Sequence, residues 1–346
     1  MRILYGVQGT GNGHLSRARV MAAALQEQGL HVDYLFSGRS REQFFDMEEF
    51  GDFQCLKGMT FSSAAGKLQI GKTIKQNLSR SILQDIESID LTNYDVVLND
   101  YEPVTAWAAK NQGVPAIGIS HQAALLHAVP KAGTQWFSDL MLKYFAPVDV
   151  ALGCHWHHFG FPILPPFVDV TEVEDEFSHQ ILVYLPFESA SDVIELLKPY
   201  DNYQFLVYHK DNIEQELPSH ITWHGFDRFG FKRHLASCGG VICNAGFELV
   251  SEALTLGKKI LVKPLLGQFE QHCNVAALEL LAAADAMMTL DPQTLSRWLK
   301  KANPQPIEYP QVADALVDWL QQGDWGNQEE LSKQLWQQVT LPDSWR

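Results

Sequence analysis

Apolar positions gather in short, uninterrupted runs that alternate with longer amphipathic stretches. Arg2–Val7 is such a run, His31–Phe36 is a second, and Tyr94–Leu98 and Ala116–Ile119 follow. Continuous apolar runs, rather than alternating ones, are what strands buried on both faces require. Between the first two runs lie the turn Gln8-Gly9-Thr10-Gly11-Asn12-Gly13 and a helix predicted over Leu15–Gln28, stopped by Gly29. Ser37-Gly38-Arg39 leads out of the second strand. The alternation restarts in the second half. Strands are predicted over Gln180–Leu185, Gln204–Tyr208, Ile221–His224, Gly240–Cys243 and Ile260–Lys263. Helices are predicted near Asp192–Leu197, Phe231–Ser237, Glu248–Leu256 and Glu270–Ala283, and the final stretch reads as helices only. There is no internal repeat or low-complexity tract. This pattern predicts an α/β protein of doubly wound parallel sheets with right-handed crossovers.

Between the two blocks stands the proline-dense segment Phe161-Pro162-Ile163-Leu164-Pro165-Pro166, followed by the acidic run Glu172–Glu176. It divides the chain into two expected domains, 1–165 and 166–346. A length of 346 residues suits two domains. Charge separates them further. The first carries 13 Lys and Arg against 15 Asp and Glu, the second 13 against 26, within a net charge of −15. So acidic a chain lacks the basic face that a duplex polyanion needs, and no nucleic-acid partner is expected. No apolar run approaches the roughly 20 residues that cross a bilayer, and no basic leader precedes Ile3. The five cysteines, at 55, 154, 238, 243 and 273, form no Cys-x-x-Cys pair. They fit a reducing cytoplasm better than a disulfide framework.

Two strand–turn–helix junctions carry the candidate chemistry. In the first, Gly9, Gly11 and Gly13 let the backbone approach a ligand, and the helix behind them favours negative charge. A dinucleotide fingerprint would place a third glycine where His14 stands and an acid after the second strand, where Ser37-Gly38-Arg39 has none. An NADPH-binding oxidoreductase, with Arg39 and Arg41 on a 2′-phosphate, remains an alternative. His14 is the residue of interest: an imidazole facing a cleft suits proton abstraction, and the plainer role is helix capping. In the second junction, Asn244-Ala245-Gly246-Phe247 follows an apolar strand and opens a helix, leaving its N–H groups to a phosphate. Glu252 is placed to reach a ribose, or stands on a solvated helix face. A loop rich in Gln, Glu and Asn, Gln268 to Asn274, can bind sugar hydroxyls, or serve as a helix cap.

The stretch from Cys243 to Leu254, then Gly257-Lys258-Lys259 and Pro264…Gln268-x-Glu270-Gln271-x-x-Asn274, resembles the donor site of GT-B glycosyltransferases. It is similar to the peptidoglycan N-acetylglucosaminyltransferase and to the UDP-glucuronosyl/glucosyltransferases. Gly9-Thr10-Gly11-Asn12-Gly13-His14-Leu15-Ser16-Arg17 resembles their glycine-rich loop and catalytic histidine. The resemblance implies two Rossmann-like domains facing across a cleft. It implies a nucleotide-sugar donor held by Asn244, Gly246 and Phe247 at the diphosphate, Glu252 at the ribose, Phe226 against the base, and Gln268, Glu270 and Gln271 at the sugar. It implies His14 as general base, with Asp100 orienting it. The acceptor is expected against Gly11, Gly13, Ser120, His121 and Gln122. Glu248 departs from the pattern, because a carboxylate in the first helical turn repels a phosphate: either it faces solvent or the diphosphate sits differently.

No Asp-x-Asp motif is present, so helix N–H groups are expected to stabilise the leaving diphosphate without a metal or other cofactor, in a direct displacement with inversion. Closure about Pro162–Pro166 would complete the site. Lys57, Lys67, Lys72, Lys75 and Arg80, interleaved with Ile70, Ile74, Leu78 and Ile82, read as core. Alternatively, residues 57–82 offer a surface for an anionic or lipid-linked acceptor at a membrane face. Cys154-His155-Trp156-His157-His158 invites a metal, yet dedicated sites draw ligands from separate elements. Competing functions are a nucleotide-sugar hydrolase, since enzymes that strip UDP from a sugar share a Gly-His-x-x-Arg turn, a sugar epimerase, and a non-catalytic sensor of sugar nucleotides.

Overall fold

Two six-stranded parallel sheets dominate the computed structural model, which describes residues 1–59, 63–64, 67–68, 80–132, 142–171, 177–214 and 216–345. The acidic run Glu172–Glu176 and the stripe residues Ile70, Lys72, Ile74, Lys75 and Leu78 lie outside the described residues, and Lys67 and Arg80 are described only in their backbone. The first sheet holds β1 (Arg2–Gln8), β2 (His31–Ser37), β3 (Gln54–Leu56), β4 (Val96–Asp100), β5 (Ala116–Ser120) and β6 (Val150–Gly153), in the order β3-β2-β1-β4-β5-β6. The second holds β7 (Phe177–Tyr184), β8 (Gln204–Tyr208), β9 (Ile221–His224), β10 (Cys238–Cys243), β11 (Lys259–Val262) and β12 (Asp285–Ala286), in the order β9-β8-β7-β10-β11-β12. Each half thus repeats the doubly wound order, whose crevice lies beyond the carboxyl ends of the strands where the order reverses. In the first sheet that place falls between β1 and β4, in the second between β7 and β10.

Eleven α-helices are described: α1 (Asn12–Glu27), α2 (Arg80–Ser88), α3 (Pro103–Gln112), α4 (His121–Ala124), α5 (Ala190–Leu197), α6 (Arg228–Ser237), α7 (Glu248–Thr255), α8 (Phe269–Leu280), α9 (Pro292–Leu299), α10 (Val312–Gln322) and α11 (Gln328–Trp336). The central strands are buried along nearly their whole length, as their apolar runs demand. Gly6 in β1 is required by packing, because a Cβ there would come within 1.9 Å of Thr105 Oγ1 on α3.

Three differences from the sequence reading bear on the site. Helix α1 starts at Asn12 rather than Leu15, so Gly13 and His14 belong to its first turn, with Gly11 as an N-cap that has no side-chain hydrogen bond to give. Glycine's poor helix propensity conceals that turn. Strand β4 runs two residues beyond Leu98, because Asn99 and Asp100 find polar partners for their buried side chains. The proline-dense segment is packed rather than exposed: Ile163, Leu164, Pro165 and Pro166 are buried, and Ile163 O accepts bonds from Ser332 Oγ (2.8 Å) and Trp336 Nε1 (2.6 Å) of α11. The last helices therefore return to the first half of the chain, where α10 packs on α1. One core runs through both lobes, from Tyr5, Leu15 and Met21 to Phe247, Val250 and Leu316. At its middle Trp156 is fully buried and donates from Nε1 to Ser251 Oγ at 2.9 Å.

Candidate active site

The parallel register of β1 with β4 sets Asp100 beside Val7, so the acid ending β4 lies next to the turn that ends β1. His14 stands on the first turn of α1, above that edge. Its Nδ1 is 2.7 Å from Asp100 Oδ1. With Asp100 ionised, this bond takes its proton from Nδ1, and in the neutral ring that tautomer has its lone pair on Nε2. Burial opposes the charge on Asp100, but the adjacent Arg17 guanidinium and His14 outweigh it and hold the carboxyl below its ordinary value. Arg17, one turn after His14 on α1, donates from Nε to Asp100 Oδ2 (2.7 Å) and from Nη2 to Asp100 Oδ1 (2.6 Å). Its third nitrogen, Nη1, reaches across the cleft to Glu248 Oε1 at the start of α7.

The amino ends of α1 and α7 therefore face each other. Glu248 lies against Gly13 so closely that a Cβ at Gly13 would come within 2.4 Å of Glu248 Oε2. Helix α7 carries no side-chain cap, and a Cβ at Gly246 would meet nothing within 4 Å. Free N–H groups beside open space form an anion site by their own charge distribution. Asn244, opening the turn, donates from Nδ2 to Lys263 O (2.9 Å), and its buried Oδ1 has no partner among the described residues. One turn into α7, Glu252 is buried and its carboxyl is pushed up to about 8, with Lys232 opposing the shift and Asp169 and Glu248 adding to it.

The family model of glycosyl transferase family 1 matches residues 1–147 and 157–303. The chain belongs to glycosyl transferase family 1. Solved structures agree on the fold. The kitacinnamycin glycotransferase superposes with a TM-score of 0.60 at 15% identity, covering 99% of each chain. UGT89C1 of Arabidopsis thaliana, solved with UDP, gives 0.59 at 14% identity over 96% of this chain and 99% of that one. MurG of Acinetobacter baumannii gives 0.53 at 18% identity over 93% and 99%. No curated protein sequence matches the chain. The two facing sheets are the GT-B fold.

In this glycosyltransferase the remaining candidate residues fall into two groups. Phe226 is 44% exposed, with its ring 6.3 Å from that of Phe45 in the first lobe and 6.2 Å from that of Tyr184. Of the others, His121, Gln122 and Glu270 join the lobes, and Ser120, Gln268 and Gln271 bond within their own. His121 stacks on Phe247 at 4.0 Å, and its Nε2 is 2.6 Å from Asn274 Oδ1. Gln122 donates to Glu270 at 2.8 Å. Ser120 caps α4 by accepting from the Ala123 N–H, Gln268 caps α8 by accepting from the Gln271 N–H, and Gln271 Oε1 accepts from the Leu265 N–H. Gln122 Oε1 is buried and without a hydrogen-bond partner among the described residues.

Arg39 donates to Asn12 Oδ1 (3.0 Å), whose Nδ2 in turn donates to Tyr184 Oη (3.3 Å). Of the two arginines in the NADPH reading, Arg39 is thus engaged at the lobe contact, and Arg41 donates from Nη1 to Phe53 O (2.8 Å). In the histidine-rich segment His155, His157 and His158 each accept a backbone N–H at Nδ1, from Trp156, Phe159 and Gly160. Among the described residues no three His, Cys, Asp or Glu side chains gather as for a metal.

Arg17 receives no role from the sequence, and Glu248, expected to face solvent unless the diphosphate sits differently, lies against Gly13 and Arg17 instead. A signal was present for the first: Arg17 follows His14 by three positions, on the same helix face. Glu188, which pairs with Lys263 at 2.6 Å at the mouth of the second sheet, is likewise unforeseen.

Proposed function

We propose that the protein transfers a sugar from a nucleoside diphosphate donor, with UDP the first nucleotide to test, onto an acceptor hydroxyl. His14 Nε2 takes the acceptor proton, the acceptor oxygen attacks the anomeric carbon with inversion, and the nucleoside diphosphate leaves. The observation that carries the reading is the meeting of two helix ends. One presents an imidazole whose other nitrogen is held by Asp100 at 2.7 Å, and the other presents uncapped N–H groups beside open space. A positioned base is worth about 10²–10⁴ in rate. Fixed amide dipoles supply the charge stabilisation for which other transferases use a cation, so no cofactor is required in this reading. UDP in the solved UGT89C1 structure supports the nucleotide.

In this reading Gly246 and Phe247 flank the diphosphate, Glu252 receives the ribose hydroxyls and Phe226 covers the base. Glu270, exchanging its bond to Gln122, and Gln271 face the sugar. The acceptor is a saccharide, a lipid-linked molecule or a small molecule, with a cell-envelope glycan as one class. An apolar cavity of about 570 Å³ in the first lobe, lined by Met59, Ile82, Leu83, Trp107, Tyr144 and Phe145, supports an acceptor with an apolar portion. Peripheral contact with the inner face of a membrane through residues 57–82, from a cytoplasmic protein, belongs to the same proposal. No described helix is long and apolar enough to cross a membrane.

The test incubates the protein with UDP-sugars and dTDP-sugars, with and without cell lipid extract. Nucleotide release only with extract supports a transferase. Release without it means a hydrolase, for which the Gly13-His14-x-x-Arg17 turn would position water. No release points to a sensor or to another nucleotide. Net retention by NMR, or loss of turnover in EDTA, would overturn the mechanism.

A further inference from the structure

Glu248 is an anomaly that the donor reading alone leaves unexplained. It occupies the first turn of α7, where a carboxylate is itself the nearest anion to the free N–H groups. A glutamate in that position can fold back onto its own helix end and occupy the place of a phosphate. It does not do so here. Phe247, the N-cap residue, accepts nothing through its side chain, and the Glu248 carboxylate lies on the opposite lobe, against Gly13 and in an ion pair with Arg17. Arg17 is 2% exposed and is anchored by two bonds to Asp100, so it cannot follow Glu248 if the lobes part. The charged side chains around the pair are Asp100 and His14 in the first lobe and Glu252 in the second, with Lys232, Arg228 and Asp169 beyond Glu252. No second cation is positioned to replace Arg17 at Glu248 among the hydrogen bonds and ion pairs of the described residues.

We propose that Arg17 is a positioning residue that keeps the Glu248 carboxylate off the amino end of α7, so that the diphosphate site is open to its ligand only while the two lobes are closed. The proposal rests on the reading that α7 receives the donor diphosphate. When the lobes separate, Glu248 loses its partner and turns to the nearest positive end, that of its own helix. Nucleotide binding and lobe closure are thereby linked, and by reciprocity a nucleoside diphosphate stabilises the closed form.

The experiment measures UDP and dTDP affinity by calorimetry on the full chain, with thermal unfolding as a check on folding. Arg17→Gln should weaken nucleotide binding about tenfold, the scale of a charge at a helix end. Glu248→Gln should bind at least as tightly as the unaltered protein, and the Arg17→Gln/Glu248→Gln double variant should recover to within about threefold of it. Gly13→Ala gives an independent arm that does not endanger the fold, since alanine suits a helix better than glycine. Its Cβ takes the space of the Glu248 carboxylate, so binding should weaken, and adding Glu248→Gln should cancel the loss. Weaker binding in Glu248→Gln, or a double variant no better than Arg17→Gln, overturns the proposal while leaving the donor reading intact. Failure of the unaltered protein to bind either nucleotide overturns both.

Discussion

The two lobes share one strand order and put it to different chemical use. At the first switch point the turn into α1 offers side chains: His14, with Asp100 and Arg17 behind it. At the second, the turn into α7 offers backbone, an uncapped helix end beside Gly246, with the Asn244 amide oxygen unpartnered among the described residues. Both turns look like anion sites by their glycines and helix dipoles alone. What separates them is what already sits there. The Glu248 carboxylate fills the space over Gly13, whereas the space over Gly246 is empty. The lesson is that a glycine turn identifies where a backbone can approach a ligand, and the neighbouring charges decide which ligand it takes.

Removing the side-chain chemistry of the first turn should have the largest effect. His14→Ala is expected to lower kcat by about 10²–10⁴ while leaving UDP affinity within about twofold, measured by initial rates and calorimetry. A parallel loss of nucleotide binding would blur the division between the turns. Asp100→Asn, which keeps the shape but removes the charge that fixes the Nδ1 proton, should cost kcat about 10–100-fold, again with little change in nucleotide affinity.

Glu252 sharpens the second side of the comparison. Its carboxyl titrates at about 8 in the folded protein, against about 4.3 for an unperturbed glutamate. A raised carboxyl contributes stability in full below the unfolded value, and that contribution is lost as pH rises through the folded value. The Tm of the unaltered protein should therefore fall relative to Glu252→Gln as pH climbs from about 4.3 to about 8. Ribose hydroxyls donated to Glu252 favour its charged form, so UDP binding at pH 7 should release a proton, read as a dependence of the binding enthalpy on buffer. Glu252→Gln should abolish that release. The smallest effect is structural. Ser251→Ala strands the buried Trp156 indole N–H between the lobes and should cost about 1–3 kcal/mol in stability with kcat nearly unchanged, checked by denaturant melts.

Much of the architecture was legible from the sequence because buried parallel strands advertise themselves as unbroken apolar runs. The short edge strands β3, β6 and β12 were not, although β9, an edge strand of four residues, was. Asp100 was named beside His14 through the family resemblance, and the structure brings them together because both sit at the carboxyl edge of neighbouring parallel strands. The contact between Arg17 and Glu248 was not legible, because it joins residues 231 positions apart through the packing of one lobe on the other, which no periodicity records. For the same reason Ser120, His121 and Gln122 read as an open acceptor edge, whereas the structure places His121 and Gln122 on Phe247, Asn274 and Glu270. Local burial can be read along a chain, but the partners across a cleft depend on how two sheets are set against each other.

The division of labour between the turns is tested most directly by a structure with UDP bound. The account predicts the diphosphate on the N–H groups that follow Gly246 at the start of α7, the ribose at Glu252, and His14 on the facing helix end with its Nε2 free toward the sugar. A diphosphate seated instead on the Gly9–Gly13 turn, with His14 behind it, would contradict the account.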